Sequence, residues 1–134
     1  MTDNKRKIQV AVVDDHTLLR TALAKLIDSF EDYTVYFEAE NGEELKKIIN
    51  KKVIPEIVLL DVNMPGMNGY ETAEWLYKHY PQVKVLALSM LSDDHAIIRM
   101  LKSGAKGYIM KSADPDELLL ALNSVMEKNF YLSE

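Results

Sequence analysis

Residues 57–69 read IVLLDVNMPGMNG, and this stretch decides the fold class. It begins with the apolar run Ile57 to Leu60, which is typical of a strand buried on both faces inside a parallel sheet. The run ends at an acid, Asp61, and the following Pro65 and Gly66 mark a loop before the next helical pattern. The stretch therefore predicts a central parallel strand with a carboxylate at its carboxyl end.

The same arrangement recurs along the chain. Short runs rich in apolar and β-branched residues alternate with longer segments of helical spacing, and they lie at Ile8–Val13, Tyr33–Phe37, Ile57–Leu60, Val83–Leu88 and Lys106–Met110. Strands that alternate with helices form βαβ units with right-handed crossovers. We therefore predict an α/β fold, a three-layer sandwich of five parallel strands and five helices.

Capping residues support this division into elements. Asn41 and Asn68 each stand three residues before a glutamate, a variant of the capping box that begins a helix. Asp114 and Pro115 begin the last helix, because an N-cap carboxylate accepts backbone N–H bonds and proline loses no hydrogen bond at the first helical position. Gly104 is placed to end the preceding helix.

Composition and charge restrict the class of protein. The chain has 134 residues, 48% hydrophobic and 28% charged, which fits one folded domain better than a disordered or fibrous chain. It has no cysteine, which excludes disulfides, thiol nucleophiles and cysteine-based metal sites. A net charge of −5 has the wrong sign for binding nucleic acid phosphates, so we expect no direct nucleic-acid contact by this domain. Since no apolar segment is long enough for a membrane span or a signal peptide, we expect a cytoplasmic protein that does not enter a membrane.

The predicted strands end in polar residues that fit one site. In an open parallel sheet, ligands bind at the carboxyl ends of the strands, near the point where the strand order reverses. Four strands end in Asp14-Asp15, Asp61, Ser89 and Lys111. If the first and third strands are neighbours, the three carboxylates converge. Two such charges about 4 Å apart repel by roughly 4 kcal/mol at an effective dielectric constant of about 20. The site therefore needs a cation, and a ligand set of oxygens favours Mg²⁺.

Lys111 and Ser89 would face the same pocket from the next two strands. An ammonium and a hydroxyl are groups that neutralise a transferring phosphoryl group. Because the chain has no cysteine and no evident Ser–His pair, the nucleophile is best sought among the carboxylates, which can form aspartyl phosphates. Asp61 is the best candidate, since it is single and lies at the centre of the predicted sheet.

These residues resemble the receiver domains of two-component response regulators. The resemblance covers about Ile8 to Met126 and rests on the acidic pair, the segment DVNMPGMNG at 61–69, Ser89, and GAKGYIMK at 104–111. It implies a flavodoxin-like (βα)5 fold with strand order 2-1-3-4-5. It also implies a role in phosphorelay signal transduction, as a phosphoprotein that catalyses at most its own phosphorylation and dephosphorylation and is not otherwise an enzyme.

The resemblance implies a phosphoacceptor and a metal site. Asp61 would accept the phosphoryl group from a sensor histidine kinase. Mg²⁺ would be held by Asp15, by Asp61 and by the backbone carbonyl of Asn63, with Asp14 acting mainly through water.

The resemblance also implies a conformational switch. Lys111 would pair with a phosphoryl oxygen, and Ser89 would turn its hydroxyl to the phosphoryl group after phosphorylation. Tyr108 would move together with Ser89, which would bias the face built by the fourth helix, the fifth strand and the fifth helix.

Within this family the chain is similar to the receivers that precede a LuxR/NarL-type helix-turn-helix. The similarity rests on SGAKGYIMKS at 103–112, ADPDEL at 113–118 and YLSE at 131–134. We therefore expect an N-terminal tail at 1–7, a receiver domain at 8–128 and, at 129–134, the start of a linker to a DNA-binding domain that regulates transcription. A stand-alone receiver is the alternative, and the resemblance leaves open whether the protein forms a homodimer.

Three other classes of protein share parts of this pattern. A haloacid dehalogenase-type phosphohydrolase also uses an Asp nucleophile with Mg²⁺, but it normally has a second Asp two residues later, where this chain has Asn63. A flavodoxin-like redox protein needs a Gly/Ser/Thr-rich phosphate loop after the first strand, where residues 14–17 read DDHT. A pseudo-receiver that binds partners without phosphorylation would not need the intact set of site residues.

Two positions depart from the receiver pattern. Ser112 replaces the proline that follows the lysine in many receivers, which removes the residue type that favours a cis peptide bond. Leu91, two residues after Ser89, is apolar where a polar side chain can help to position water. We therefore expect slow self-dephosphorylation.

Replacing Leu91→Glu is expected to shorten the lifetime of the phosphoryl group, because a carboxylate at this position would help to orient the attacking water. The measurement is the rate at which the phosphorylated species disappears after the phosphodonor is removed. An unchanged lifetime would contradict the hypothesis.

Overall fold

The strands form one parallel sheet with helices on both faces. The computed structural model describes residues 6–90 and 93–132. In these ranges the sheet has the order β2-β1-β3-β4-β5-β6. The strands are β1 (Ile8–Val13), β2 (Tyr33–Ala39), β3 (Ile57–Asp61), β4 (Lys84–Ser89), β5 (Gly107–Met110) and β6 (Tyr131–Leu132). The helices are α1 (Thr17–Ser29), α2 (Gly42–Ile48), α3 (Gly69–His79), α4 (Asp94–Lys102) and α5 (Pro115–Lys128).

The predicted α/β fold and the strand order 2-1-3-4-5 are confirmed. The predicted bounds of β1 are confirmed, and those of β2 to β5 differ by one or two residues. The largest difference is in β2, which continues to Ala39 past the charged Glu38, because that residue interrupts the apolar run. The sequence pattern did not predict β6, because a two-residue strand has no periodicity. It pairs with β5, and the Tyr131 N–H donates to the Lys106 carbonyl at 3.0 Å.

Each face of the sheet packs against its own set of helices. Helices α2, α3 and α4 cover one face, where Leu45, Leu76 and Met100 are buried. Helices α1 and α5 cover the other face, with Ile27 and Leu122 buried. All residues of β3 are buried, which explains its continuous apolar sequence. None of the helices in the described ranges has the length and apolar character needed to cross a membrane.

The predicted capping residues fix the helix ends. Asn68 and Glu71 form a complete capping box, in which each side chain accepts the other residue's backbone N–H at 3.0 Å. The side chains of Asn41 and Asp114 accept a backbone N–H from the third residue of their helices. Gly104 follows α4 with a φ of 107°, a left-handed conformation that glycine adopts readily after a helix. The helices that flank the carboxyl end of the sheet therefore begin at defined residues.

Helix α3 begins directly against the end of β3. The Gly69 N–H donates to the Val62 carbonyl at 3.0 Å. A Cβ atom at Gly69 would lie 2.6 Å from the carbonyl oxygen of Asp61, which is too close for any side chain. Glycine therefore permits this approach, and the loop that follows Asp61 is held in place by the start of α3.

Candidate functional site

Three carboxylates meet at the carboxyl end of the sheet. Strands β1 and β3 are neighbours, so Asp14, which follows β1, lies beside Asp61, which ends β3. Both residues are buried. One oxygen each from Asp14, Asp15 and Asp61, together with a ring nitrogen of His16, lie within 4.8 Å of one another. We call Asp14, Asp15 and Asp61 the acidic pocket.

The acidic pocket contains buried carboxylate oxygens that lack neutral hydrogen-bond donors. Among the described residues, Asp14 Oδ2, Asp15 Oδ1 and Asp61 Oδ2 are buried and accept no hydrogen bond from a neutral donor, although the Lys111 ammonium lies near Asp14 Oδ2 and Asp61 Oδ2. Desolvated carboxylate oxygens are costly unless a cation compensates their charge. A hard ligand set made only of oxygens is the kind that Mg²⁺ prefers. The residues present therefore fit a divalent cation of this type.

Lys111 supplies one compensating charge. Its Nζ atom lies 3.3 Å from Asp14 Oδ2 and 3.3 Å from Asp61 Oδ2, and the side chain is only 4% exposed. The Lys111 backbone N–H donates to the Ser89 carbonyl at 2.7 Å, which ties the end of β5 to the end of β4. When all carboxylates are ionised, one ammonium among three of them leaves two negative charges, which matches a divalent cation.

His16 also contacts the acidic pocket, although a single histidine beside acids gives only a weak sequence signal. Its Nδ1 atom lies 3.3 Å from Asp14 Oδ1 and 3.2 Å from Lys111 Nζ. Asp14 Oδ1 additionally accepts the His16 backbone N–H at 2.8 Å. The carboxylate therefore shapes the turn between β1 and α1, while the N-cap of α1 is His16, without a side-chain cap bond.

Arg20, in α1, also holds this turn. The polar residues at the strand ends did not predict this role, because Arg20 lies in a helix. Its Nη1 atom donates to the Asp14 carbonyl at 2.8 Å, and its Nε atom donates to Glu38 at 3.1 Å. Its spacing could have predicted this position, because Arg20 lies four residues after His16 and therefore on the same side of α1. Arg20 thus positions the backbone that carries Asp14.

Ser89 and Tyr108 connect the pocket to the face covered by α4. Ser89 ends β4, one residue after Leu88, which pairs with Asp61 on β3. Tyr108 lies in β5, and both Ser89 and Tyr108 are buried. Burial raises the pKa of Tyr108, while a hydrogen bond with the Ser89 side chain lowers it. Tyr108 belongs to the core that packs under α2, α3 and α4. The two residues singled out as a switch therefore contact each other.

The remaining sequence-predicted positions lie as follows. The exposed Asn63 donates its backbone N–H to Asp61 Oδ1 at 3.2 Å, which places it at the acidic pocket. No cis peptide bond occurs in the described ranges, so the bond between Lys111 and Ser112 is trans. Leu91 lies outside the described residues.

Burial dominates the electrostatics of Asp61. Burial first and the Asp14 carboxylate second raise the pKa of Asp61, and the net result is a rise from 3.8 to about 7. The Lys111 ammonium and the Asn63 N–H act in the opposite direction. In the metal-free protein, part of the Asp61 population therefore carries a proton near neutral pH.

Comparisons with known proteins give the family of this chain. The family model described as the response regulator receiver domain matches residues 10–123. The chain is 36% identical over 129 residues to the transcriptional regulatory protein DegU of Brevibacillus brevis, and 36% identical over 131 residues to the nitrate/nitrite response regulator protein NarL of Escherichia coli K12. These alignments cover 96% and 98% of this chain but only 54% and 60% of the two relatives. The structure is similar to the signal receiver domain of the response regulator NarL from Mycobacterium tuberculosis, with a TM-score of 0.82 and 29% identity, covering 89% of this chain and 95% of that one.

Replacing Asp61→Asn is expected to stabilise the metal-free protein at neutral and higher pH. Folding raises the pKa of Asp61, so between about pH 4 and pH 7 the folded protein keeps a proton that the unfolded chain has lost. The free energy of unfolding of the wild type therefore falls as the pH rises through this range. Asparagine does not ionise, so the gain in the free energy of unfolding should be about 2 kcal/mol near pH 8 and much smaller near pH 4. Urea unfolding of both proteins at the two pH values, in the presence of a chelator, measures this gain in the free energy of unfolding.

The matched control is Glu31→Gln, an exposed carboxylate outside the pocket, which should leave the free energy of unfolding nearly unchanged across this range. An Asp61→Asn gain that is equally large near pH 4 and near pH 8 would contradict the assignment of a raised pKa.

Proposed function

The chain belongs to the response regulator receiver domains, with relatives of the LuxR/NarL type, and from this premise we propose that Asp61 accepts a phosphoryl group from a sensor histidine kinase. One observation carries the proposal. The Asp61 carboxylate is buried, and its Oδ2 atom lies 3.3 Å from the Lys111 ammonium, which is its charged partner. A carboxylate nucleophile needs an oxygen with available lone pairs beside a group that stabilises the incoming charge.

In the proposed step, a carboxylate oxygen of Asp61 attacks the phosphorus of a phosphohistidine on the kinase. The P–N bond breaks, its electron pair stays on the imidazole, and an acyl phosphate forms on Asp61. Lys111 is held by its ion pairs with Asp14 and Asp61, so its ammonium is already in place when the phosphoryl group arrives. Such fixed positioning and charge stabilisation are the main protein contributions to phosphoryl transfer.

We also propose that the acidic pocket holds Mg²⁺. Asp15, Asp61 and the backbone carbonyl of Asn63 would be its protein ligands, and Asp14 would act through water. When bound, Mg²⁺ would favour the ionised form of Asp61 and neutralise charge on the phosphoryl oxygens. The buried carboxylate oxygens without neutral donors and the two uncompensated negative charges support this ligand set.

We propose that the conformational response to phosphorylation begins at Ser89. A phosphoryl group adds about −1.5 to −2 charge at the acidic pocket. The Ser89 hydroxyl now interacts with Tyr108, and it would turn to the phosphoryl oxygens. Tyr108 would then lose that interaction and repack under α4. The change is a population shift between two packings of the face built by α4, β5 and α5.

The output of the whole protein is likewise a proposal, because the chain spans just over half the length of the curated relatives it matches. We propose that this domain controls an attached LuxR-type helix-turn-helix segment that binds DNA in the cytoplasm, while the receiver domain itself makes no DNA contact. A stand-alone receiver is the alternative. Receiver domains are signalling proteins, and the Asn63 position argues against a haloacid dehalogenase-type phosphohydrolase.

Incubation with acetyl phosphate and Mg²⁺ is expected to add about 80 Da to the intact protein, as one aspartyl phosphate that is stable in acid and labile in base. Asp61→Ala should remove the adduct, and a chelator should suppress it. Lys111→Ala should slow its formation by at least about tenfold, whereas Lys102→Ala, an exposed lysine on α4, should have no effect. Mass spectrometry measures the adduct. An adduct that persists in Asp61→Ala, or steady turnover of phosphate esters, would overturn the proposal.

Ser89→Ala is expected to separate phosphorylation from the conformational change. The adduct should still form on Asp61, but the phosphorylation-dependent change in amide hydrogen exchange across α4 and β5 should be lost, because no hydroxyl is present to turn. The matched control is Ser103→Ala, a buried serine whose hydroxyl donates to the Arg99 carbonyl at the end of α4. If Ser89→Ala keeps the full exchange response, Ser89 is not part of the switch.

A further inference from the structure

A cavity lies at the amino-terminal edge of the sheet, at the opposite end of the strands from the acidic pocket. Its volume is about 380 Å³, and it is lined by Lys51, Ile54, Trp75, His79, Tyr80 and Gln82. These residues come from the connection between α2 and β3, from the second half of α3, and from the connection between α3 and β4. Both connections lead into the amino-terminal ends of central strands. The proposed phosphoryl transfer does not involve this cavity.

The cavity has an aromatic wall. The ring centroid of Trp75 lies 5.0 Å from that of His79 and 5.6 Å from that of Tyr80. Trp75 and Tyr80 pack partly against the core under α2, α3 and α4, as does Ile54. One side of each of these side chains is thus anchored, and the remaining surface faces the cavity. A pre-formed aromatic and apolar lining with a few polar groups is typical of small-molecule sites.

The surroundings of this wall are positively charged. Lys46 Nζ lies 5.5 Å from the centre of the Trp75 ring, and Lys51 lines the cavity. The last turns of α2 and α3 carry the lysines Lys46, Lys47 and Lys78. None of the described residues that line the cavity is acidic, although the whole chain has a net charge of −5. This cluster of cations therefore opposes the overall charge of the protein.

We infer that this cavity binds a small planar aromatic anion, such as a nucleotide or an aromatic carboxylate. The ring of the ligand would lie against Trp75 and Tyr80, and its anionic group would pair with Lys51 of the lining and with Lys46 beside the Trp75 ring. Ring stacking alone would accept neutral ligands, and lysines alone would accept any anion. The combination of both selects a ligand that carries a ring and a negative charge together. The volume lies within the range of about 300 to 1,000 Å³ found for small-molecule pockets.

Trp75 is the only tryptophan of the chain, so its indole N–H signal in a ¹H–¹⁵N spectrum reports on this cavity alone. Two aromatic anions, adenosine monophosphate and 2-naphthoate, serve as probes, which separates a nucleotide from an aromatic carboxylate. Adenosine and inorganic phosphate serve as comparators. We expect at least one aromatic anion to shift the indole signal with saturation, and each comparator to shift it far less. No saturable shift with either probe, or an equal shift with inorganic phosphate alone, overturns the inference.

Replacing Lys46→Gln and Lys51→Gln together is expected to weaken binding of the effective probe by about fivefold or more, since two ion pairs are lost. Both lysines are exposed, so the fold should be retained, which the amide spectrum of the same sample verifies. Lys25→Gln, an exposed lysine on α1, is the matched control and should leave the affinity unchanged. Equal affinity in all variants overturns the assignment of the anion site. The acetyl phosphate assay on the same variants tests Asp61 independently, so failure of one proposal is distinguishable from failure of the other.

Discussion

The buried ion pairs of Lys111 with Asp14 and Asp61 are the interactions on which this domain depends most. Both carboxylates are removed from water, and the lysine side chain is almost fully covered. Removing the ammonium from such a group typically costs about 3–5 kcal/mol, because the carboxylates then stay buried without compensation. The group is nevertheless incomplete, since three carboxylates face one ammonium. This incomplete compensation fits the proposed binding of Mg²⁺.

The backbone around the pocket is fixed from several directions. Parallel pairing of β1 with β3 sets Asp14 beside Asp61, and the glycine that begins α3 allows the helix to close against Asp61. Arg20 holds the carbonyl of Asp14 from α1. On the other side, the Lys111 N–H is bonded to the Ser89 carbonyl. The end of β5 is therefore joined to the end of β4, and in the proposed switch a change at Ser89 would act on β5, which contains Tyr108 and is followed directly by Lys111.

The two ends of the sheet differ in electrostatic character. The carboxyl end carries the acidic pocket, and the amino end carries the aromatic cavity with Lys46 and Lys51. The five residues of β3 separate them, a distance of about 15 Å. Lys46 and Lys51 are exposed to solvent, so salt reduces their interaction with the acidic pocket at this separation.

The sequence by itself determined the alternation of strands and helices, the capping residues, and the polar residues at the strand ends. These features are local, because apolar periodicity, an Asn three residues before a Glu, and an acid after Ile57–Leu60 can each be read within a few positions. Only the tertiary structure decided that His16 contacts both Asp14 and Lys111, that Ser89 and Tyr108 interact, and that Tyr131 continues the sheet beside β5. The aromatic cavity also joins residues from three segments that no local pattern connects. Contacts between residues far apart in the chain depend on the order of the strands and on the face of the sheet to which each side chain points. The periodicity of a single segment determines neither of these.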